Sequence, residues 1–176
     1  GKNNSVFGTA AMQFNIIGIN NSAFGFYALR NNTTNNNSAF GYKALNANTI
    51  GTSNSAFGTH ALATNTTGSF NSAFGTTALK YNTIGSQNVA VGRDTLTSNT
   101  FGNYNSAVGG NALGSNTIGS FNSAFGYKSL QNNTTGQKNN AFGFYALRSN
   151  TIGQQNSAFG YSALRENTTA GVNSAF

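Results

Sequence analysis

A five-residue motif, Asn-Ser-Ala-Phe-Gly, returns along the whole chain at nearly constant spacing, and this repetition constrains the fold more than any other feature. Residues 54–58 are a representative copy. Successive copies lie 17 residues apart, with one interval of 16 between Gly25 and Gly41. In an array with such a short fixed period, each unit buries its apolar side only by stacking on its neighbours. We therefore predict one repeat array over residues 1–176, and expect it to be a segment of a longer array.

The consensus of the repeat predicts the shape of one unit. Counted from the motif glycine as position 0, it reads Asn-Ser-Ala-Phe-Gly-x-x-Ala-Leu-x-x-Asn-Thr-(Ile/Thr)-Gly-x-x. Alternation in Asn-Ser-Ala-Phe predicts a strand with Ser and Phe on one face and Asn and Ala on the other. The Ala-Leu run suits either a second strand or a single helical turn. Two glycines per unit, such as Gly58 and Gly68, are predicted to form two tight turns.

Short runs joined by two turns predict a flattened coil. We therefore predict an all-β parallel β-solenoid of about ten coils of 17 residues, stacked ~4.8 Å apart. In the one short repeat, Asn35 is predicted to replace the second glycine. Asn is the non-glycine residue that best tolerates a left-handed conformation, so the turn is expected to survive there.

Two columns of asparagine run through the array. The first Asn column precedes the strand (Asn54, Asn71) and the second Asn column follows the Ala-Leu run (Asn65). A carbohydrate- or ice-binding array is one interpretation. We favour a structural ladder, in which each amide bonds its equivalent one coil away, because a buried amide left unpaired costs about 1–3 kcal/mol. The residues predicted to form structural columns are Asn54, Phe57, Gly58, Leu62, Asn65, Gly68, Asn71, Phe74, Gly75 and Phe101.

The motif phenylalanines form a Phe column, exemplified by Phe57 and Phe74. It is interpreted as a core or intersubunit column, with a stacking platform for bases or sugars as the alternative. Two repeats carry Val91 and Val108 instead, and Phe101 lies between them where Ile or Thr is usual. We hypothesise that Phe101 fills the vacated core volume, so that Phe101→Thr costs about 3–5 kcal/mol.

Aromatic residues also recur directly after the motif glycine, where the residue type varies between repeats as surface positions do. They are candidate contacts with a partner, the alternative being isolated surface aromatics beside a turn. These candidates are Phe26, Tyr42, Tyr127, Phe144 and Tyr161.

The charge composition limits the chemistry available to the chain. Nine Lys and Arg against two acidic residues give a net charge of +7, and there is one His and no Cys. No catalytic, cofactor-binding or metal-binding residues are predicted, because His60, Asp94 and Glu166 cannot be assembled into a triad, a carboxylate pair or a ligand set. We expect a solvated basic edge rather than a nucleic-acid site, which stays the alternative. No apolar run reaches the length needed for membrane insertion.

Some repeats resemble known fibre proteins. Residues 88–92 (Asn-Val-Ala-Val-Gly) and 105–109 (Asn-Ser-Ala-Val-Gly) are similar to the YadA-like head repeats of trimeric autotransporter adhesins. Gly-Tyr-Lys-Ala-Leu followed by Asn-Thr-Ile-Gly (residues 41–45 and 48–51) resembles repeats of bacteriophage and large-virus tail fibres. The resemblance implies a left-handed β-roll, a homotrimer, and a location on a cell or virion surface.

The repeat pattern and the resemblance together predict a non-enzymatic structural protein, the shaft or head of an extracellular or virion fibre or adhesin. The expected partners are copies of itself, with cell-surface glycans or proteins as further candidates. A self-assembling extracellular filament subunit and a carbohydrate- or ice-binding solenoid are the alternatives.

Overall fold

All strands of the structure belong to one parallel sheet, to which every coil contributes one strand. The structure is a computed structural model that describes residues 1–176. The eleven strands follow one another in sheet order and are β1 (Ser5–Phe7), β2 (Ser22–Phe24), β3 (Ser38–Phe40), β4 (Ser55–Phe57), β5 (Ser72–Phe74), β6 (Val89–Val91), β7 (Ser106–Val108), β8 (Ser123–Phe125), β9 (Asn140–Phe142), β10 (Ser157–Phe159) and β11 (Ser174–Ala175).

The register places equivalent residues of successive repeats beside each other. In β4 and β5, for example, Ala56 pairs with Ala73 and Phe57 with Phe74. Each repeat position therefore becomes a column along the axis of the rod. This confirms the predicted all-β solenoid of about ten coils of 17 residues.

The Ala-Leu side of each coil is neither a strand nor a helix, but a series of turns. Left-handed residues recur there and before the first Asn column, as at His60 (φ 59°), Leu62 (φ 51°) and Phe70 (φ 60°). Such a φ costs roughly 1–2 kcal/mol for a residue with a side chain. Hydrogen bonds between coils offset that cost, as from the N–H of Leu62 to the carbonyl of Ala78 at 3.0 Å. Of 120 backbone hydrogen bonds only 20 lie within strands, so turns and links between turns carry most of the bonding.

The interior of the solenoid is narrow and contains no aromatic ring. One coil fills it with Ala56, Ala61 and Leu62 together with Asn54 and Asn65, all fully buried. The inward strand position is alanine, so Ser and Phe lie together on the opposite, outward face. The alternation predicted that they share a face.

The core interpretation of the Phe column and the hypothesis that Phe101 fills core volume are therefore wrong, whereas the intersubunit interpretation of the Phe column stays a prediction. The Phe column lies on the outer face of the sheet, where Phe74 is 41% exposed. Phe101 is 52% exposed at an outer corner of the coil, so it fills no core volume. The physical reason is that the two substitutions to Val occur on the outside, where they leave no internal cavity to be filled.

The two glycine columns are required for different reasons. Gly58 has φ 139°, a conformation that only glycine adopts readily, and its predicted turn is present. Gly68 has no positive φ, but a Cβ there would overlap the carbonyl oxygen of Gly85 and lie 2.5 Å from Oδ1 of Asn65. The second glycine is therefore needed because the coils approach so closely at that point.

In the short coil the position of the second glycine is taken by Thr34, not by Asn35. The Thr34 carbonyl accepts from the side-chain amides of Asn21 (2.7 Å) and Asn32 (2.8 Å), as a second-column glycine does in other coils. Asn35 lies one position further on, where its Oδ1 accepts from the N–H of Ile19 at 2.9 Å. The prediction for Asn35 is therefore wrong, and the missing residue is the exposed corner residue before the glycine position.

This one-residue loss interrupts the second Asn column. Asn48 donates normally to Oδ1 of Asn32 at 2.7 Å, but Oδ1 of Asn15, one coil further back, is buried without a partner. The missing residue therefore changes the structure mainly at the exposed corner before the second glycine position. Inside the rod, one hydrogen bond is not made.

Candidate functional site

Both Asn columns are internal hydrogen-bond ladders. In the second column, Nδ2 of Asn65 donates to Oδ1 of Asn48 at 2.9 Å and to the carbonyl of Gly68 at 2.8 Å. In the first column, Oδ1 of Asn54 accepts the backbone N–H of Asn71 at 2.9 Å. These amides are fully buried, and their donors are engaged within the rod rather than presented to a ligand.

The threonines that follow the second Asn column form a further ladder. The Thr66 hydroxyl donates to the carbonyl of Thr83 at 3.0 Å, and the pattern continues from Thr83 to Thr100 at 3.1 Å. The hydroxyl hydrogens of this column are therefore also directed into bonding between coils.

The Phe column forms an outer stack that runs along the sheet. Neighbouring rings are nearly parallel, with centroids 4.7 Å apart for Phe40 and Phe57 and 4.9 Å apart for Phe57 and Phe74. Val91 and Val108 divide the stack into two. The rings of the two stacks are Phe24, Phe40, Phe57 and Phe74, and then Phe125, Phe142, Phe159 and Phe176.

The outer strand face is also free of charge. Its second column is Ser, except for Val89 and Asn140, and all nine Lys and Arg residues lie at other repeat positions. The solenoid thus has an uncharged strand face of Ser and Phe, and carries its cations elsewhere.

The aromatic residues after the motif glycine gather with cations into two patches. The N-terminal aromatic patch consists of Phe26, Tyr27, Arg30, Tyr42 and Lys43. The rings of Phe26 and Tyr42 stack with centroids 5.5 Å apart. The Arg30 guanidinium lies 4.5 Å from the ring centroid of Tyr27, and the Lys43 ammonium lies 5.2 Å from that of Tyr42.

The C-terminal aromatic patch repeats this arrangement with Tyr127, Lys128, Phe144, Tyr145 and Arg148. The rings of Tyr127 and Phe144 have centroids 5.2 Å apart. The Arg148 guanidinium lies 4.9 Å from the Tyr145 centroid, and the Lys128 ammonium lies 5.1 Å from the Tyr127 centroid. All five residues match the N-terminal patch in type and in repeat position.

The arginine of each patch is held in place from one side. Nε of Arg30 donates to Oε1 of Gln13 at 2.8 Å, and Nε of Arg148 donates to Oε1 of Gln131 at 3.1 Å. Neither arginine forms an ion pair. The ion pairs of the chain are Arg93–Asp94 and Arg165–Glu166, each at 3.3 Å.

Phe26, Tyr42, Tyr127 and Phe144 are exposed, and Tyr161 extends the second patch by stacking 5.6 Å from Phe144. Their contact with a partner stays a prediction. The tyrosines that follow Phe26 and Phe144, and the grouping of the arginines with the aromatic residues, were not predicted from the sequence. The available signal was the hexapeptide Gly-Phe-Tyr-Ala-Leu-Arg, which occurs at residues 25–30 and again at 143–148.

Backbone conformation explains why the repeated hexapeptide did not by itself predict that the Phe and Tyr rings lie together. Strand alternation would place Phe26 and the next residue on opposite faces. Tyr27 has φ 58°, which instead brings the two rings within 3.9 Å.

His60 and the two acidic residues do not form a site. His60 lies edge-on to Tyr42 at 5.1 Å, and its pKa is lowered by burial and then by the charges of Lys80 and Lys43. Asp94 instead accepts a hydrogen bond from Thr77 and pairs with Arg93. No three His, Cys, Asp or Glu side chains are placed to hold a metal ion.

The structure contains no helix that is long and apolar enough to cross a membrane.

The chain matches no family model, no curated protein and no solved structure.

Proposed function

We propose that this chain is a non-enzymatic structural repeat protein, the shaft or head of an extracellular fibre on a cell or virion surface, which assembles with copies of itself. The observation that supports this most is the uncharged strand face, an outward row of Phe and Ser along the rod that is interrupted in the middle by Val91 and Val108. Sheets made only of parallel strands are normally covered on both faces. Here the solenoid interior covers only one face.

The exposed area suits association with further copies. The aromatic residues bury about 150–250 Å² each when covered, so a ring left about 40% exposed offers roughly 80 Å². The eight rings of the two stacks together offer roughly 640 Å² per copy, most of the ~800 Å² that one partner contributes to a standard protein interface. The 4.7–5.5 Å spacing of adjacent stacked rings is best matched by another array with the same repeat.

The charge distribution favours the same face. The chain has a net charge of +7, and two copies that approached through their basic edges would repel each other. The strand face has no cation, so association through it keeps the charges apart and in solvent. A closed homotrimer, as the adhesin resemblance implies, and a side-by-side filament both use this face.

Binding of sugar or ice through the Asn and Thr columns has less support. Such a function needs polar groups directed outward, whereas the amides of Asn54 and Asn65 and the hydroxyl of Thr66 all donate within the rod.

Sedimentation velocity over a range of concentrations tests the proposed assembly. We expect the wild-type chain to sediment as a trimer or larger assembly, and Phe57→Ser with Phe74→Ser to shift it towards monomer. Phe70→Ser with Phe121→Ser is the matched control, because it removes two exposed rings from a different column and should leave the assembly intact. A wild-type chain that stays monomeric at all concentrations, or equal losses in both variants, would contradict the proposal. A fixed trimer mass indicates a closed fibre, and an open-ended mass distribution indicates a filament.

A further inference from the structure

We propose that the two aromatic patches bind an acidic polysaccharide, with each patch taking a segment that contains a uronic acid. Arginine and lysine would pair with the carboxylates of the sugar, and the exposed rings would pack against the faces of the sugar rings. This activity is separate from the assembly through the strand face, since the patches use different repeat positions.

The duplication of the patch is the first argument. Five residue types recur at the same positions, and the corresponding distances agree within about half an ångström: 4.5 and 4.9 Å for Arg–Tyr, 5.2 and 5.1 Å for Lys–Tyr, and 5.5 and 5.2 Å for Phe–Tyr. The Phe-Tyr coil precedes the Tyr-Lys coil in one patch and follows it in the other. The coils between the patches have no aromatic residue at these positions, so coil stacking does not require this arrangement.

The arginines are prepared to bind a planar anion. Arg30 is fixed by Gln13 through Nε and by the ring of Tyr27, and it has no acidic partner. A guanidinium held in this way keeps its terminal nitrogens for a carboxylate, which it binds through two parallel hydrogen bonds. The arginine side chain is thus already ordered in the free protein, so that binding a ligand costs little further side-chain entropy.

The aromatic residues provide the complementary apolar surface. Phe26 and Tyr42 are stacked at 7° from parallel, and Tyr127 and Phe144 are tilted by 35°. All four rings remain about 40% exposed. A pyranose ring presents C–H groups on its faces, which pack on such rings, and hydroxyl and carboxylate groups at its edge. An aromatic platform beside an unpaired arginine therefore fits an acidic sugar better than a neutral sugar or a simple anion.

Single-stranded nucleic acid fits the patches less well. The N-terminal patch has two cations, and the C-terminal patch has their two equivalents and Arg165, which lies 5.2 Å from the Tyr145 centroid and pairs with Glu166. Nucleic acid binding generally uses a continuous basic groove instead. Neighbouring rings also lie close together, with centroids 5.5 Å apart in the first patch and 5.2 Å apart in the second, which leaves no gap between them for a base.

The two patches are placed so that one long polysaccharide chain can bind to both. Equivalent repeat positions lie along one edge of the rod, and the patch centres are six coils apart by sequence, or ~29 Å at the strand spacing. A polysaccharide long enough to reach both patches is held at a high effective concentration after the first contact. We therefore expect weak binding of short oligomers and much tighter binding of long ones.

Isothermal titration calorimetry with polygalacturonate tests this proposal. We expect binding that weakens as salt is raised, and at least tenfold weaker binding of fully methyl-esterified polygalacturonate, which has the same backbone without the charge. Arg30→Gln with Arg148→Gln should reduce the affinity at least tenfold. Gln13 and Gln131 occupy the same repeat position in other coils, so this exchange suits the fold. Tyr27→Ala with Tyr145→Ala should act similarly, since Ala10 has the same left-handed conformation (φ 54°) at that position.

The controls separate binding at the patches from general attraction to a basic rod. Tyr104→Ala with Phe121→Ala removes a stacked pair from another column (4.9 Å) and should leave the affinity unchanged. When only one patch is changed, long oligomers should bind no more tightly than short ones, and short oligomers should still bind to the intact patch. The proposal is overturned if polygalacturonate does not bind, if the esterified polymer binds equally, or if the patch variants bind like wild type. It is also overturned if single-stranded oligothymidylate binds more tightly than polygalacturonate.

Discussion

Asn54 and Asn65 belong to different columns but donate to one and the same oxygen, the carbonyl of Gly68, at 2.9 and 2.8 Å. This shared acceptor joins the first and second Asn columns across the interior of every regular coil. The two ladders and the second Gly column therefore form one polar network, and the loss of any member affects the others.

We expect Asn65→Ala to lower the free energy of unfolding by about 3 kcal/mol. The change removes the bonds to Asn48 and Gly68 and leaves Nδ2 of Asn82 without its acceptor on Asn65. An unpaired buried polar group costs about 1–3 kcal/mol in addition to the lost bonds. Urea unfolding measures the change, and Asn132→Ala, at an exposed position, is the control that should shift it by less than about 0.5 kcal/mol.

Gly68 in the second Gly column and Gly114 on the Ala-Leu side of its coil should respond in opposite ways to substitution by Ala. Gly68→Ala should destabilise by about 3 kcal/mol, because the new Cβ would overlap the Gly85 carbonyl. Gly114→Ala should instead stabilise by about 0.5 kcal/mol by restricting the unfolded chain. Its Cβ would approach no atom closer than 3.2 Å, and Ala63 occupies the same repeat position. Equal thermal unfolding midpoints for the two variants would contradict this distinction.

We expect Phe101→Thr to change the stability by less than about 1 kcal/mol, because the Phe101 ring is mostly outside the core. Leu96→Ala in the same coil removes a fully buried side chain and should cost about 2–5 kcal/mol. Denaturant unfolding of both variants checks the contrast. A larger loss for Phe101→Thr than for Leu96→Ala would restore the idea that Phe101 supports the core.

Removing one complete coil should leave a folded rod. Deletion of residues 51–67 joins Ile50 to Gly68 and keeps every later column in register. The rod should shorten by ~4.8 Å, one strand spacing, because each coil contacts only its neighbours. Small-angle X-ray scattering measures the length. Deletion of residues 51–58 is the control, since it puts the later Asn, Phe and Gly residues out of column and should unfold that part of the array.

The stability should fall modestly as the pH decreases through the range in which histidine titrates. Burial and the neighbouring Lys80 and Lys43 lower the pKa of His60 in the folded chain, so the unfolded chain binds the proton more readily. Stability is therefore greater above the ordinary histidine pKa and declines as the pH falls towards the lowered folded value. His60→Asn should flatten this decline, and Asn111 has the same conformation (φ 59°) at the equivalent position. Thermal unfolding at several pH values measures the effect, and an unchanged slope in the variant would contradict it.

The repeat period and the alternation of the motif were sufficient to predict the solenoid, the shared face of Phe and Ser, and the amide ladders. They did not predict that this face points outward, because alternation alone does not tell which face meets the interior. They were not sufficient for the Ala-Leu side, because residues such as Leu62 adopt a left-handed conformation that their own preferences oppose. Hydrogen bonds to the adjacent coil stabilise that conformation, and they exist only once the coils have stacked.

The same reason accounts for the incomplete prediction of the aromatic patches. Tyr27 joins Phe26 because of its left-handed φ, and Arg30 joins them because the coil folds back over the tyrosine ring. Asn35 was assigned to the second Gly column, in place of Thr34, for a related reason. In a repeat shortened by one residue, the hydrogen bonds accepted by a carbonyl, rather than the identity of the side chain, determine which residue takes the glycine position.

The amide ladders also give the rod an electrical direction. Wherever the second-column ladder is intact, each amide turns its oxygen towards the following coil and its N–H towards the preceding one, as in the series Asn48, Asn65, Asn82 and Asn99. The first column has the same orientation. The small dipoles of both amide columns therefore add along the axis, as peptide dipoles do in a helix, and the hydroxyls of the threonine ladder, which donate towards the following coil, offset them in part. Two such rods placed side by side attract more strongly when they point in opposite directions, whereas rods that continue one another end to end attract when they point the same way.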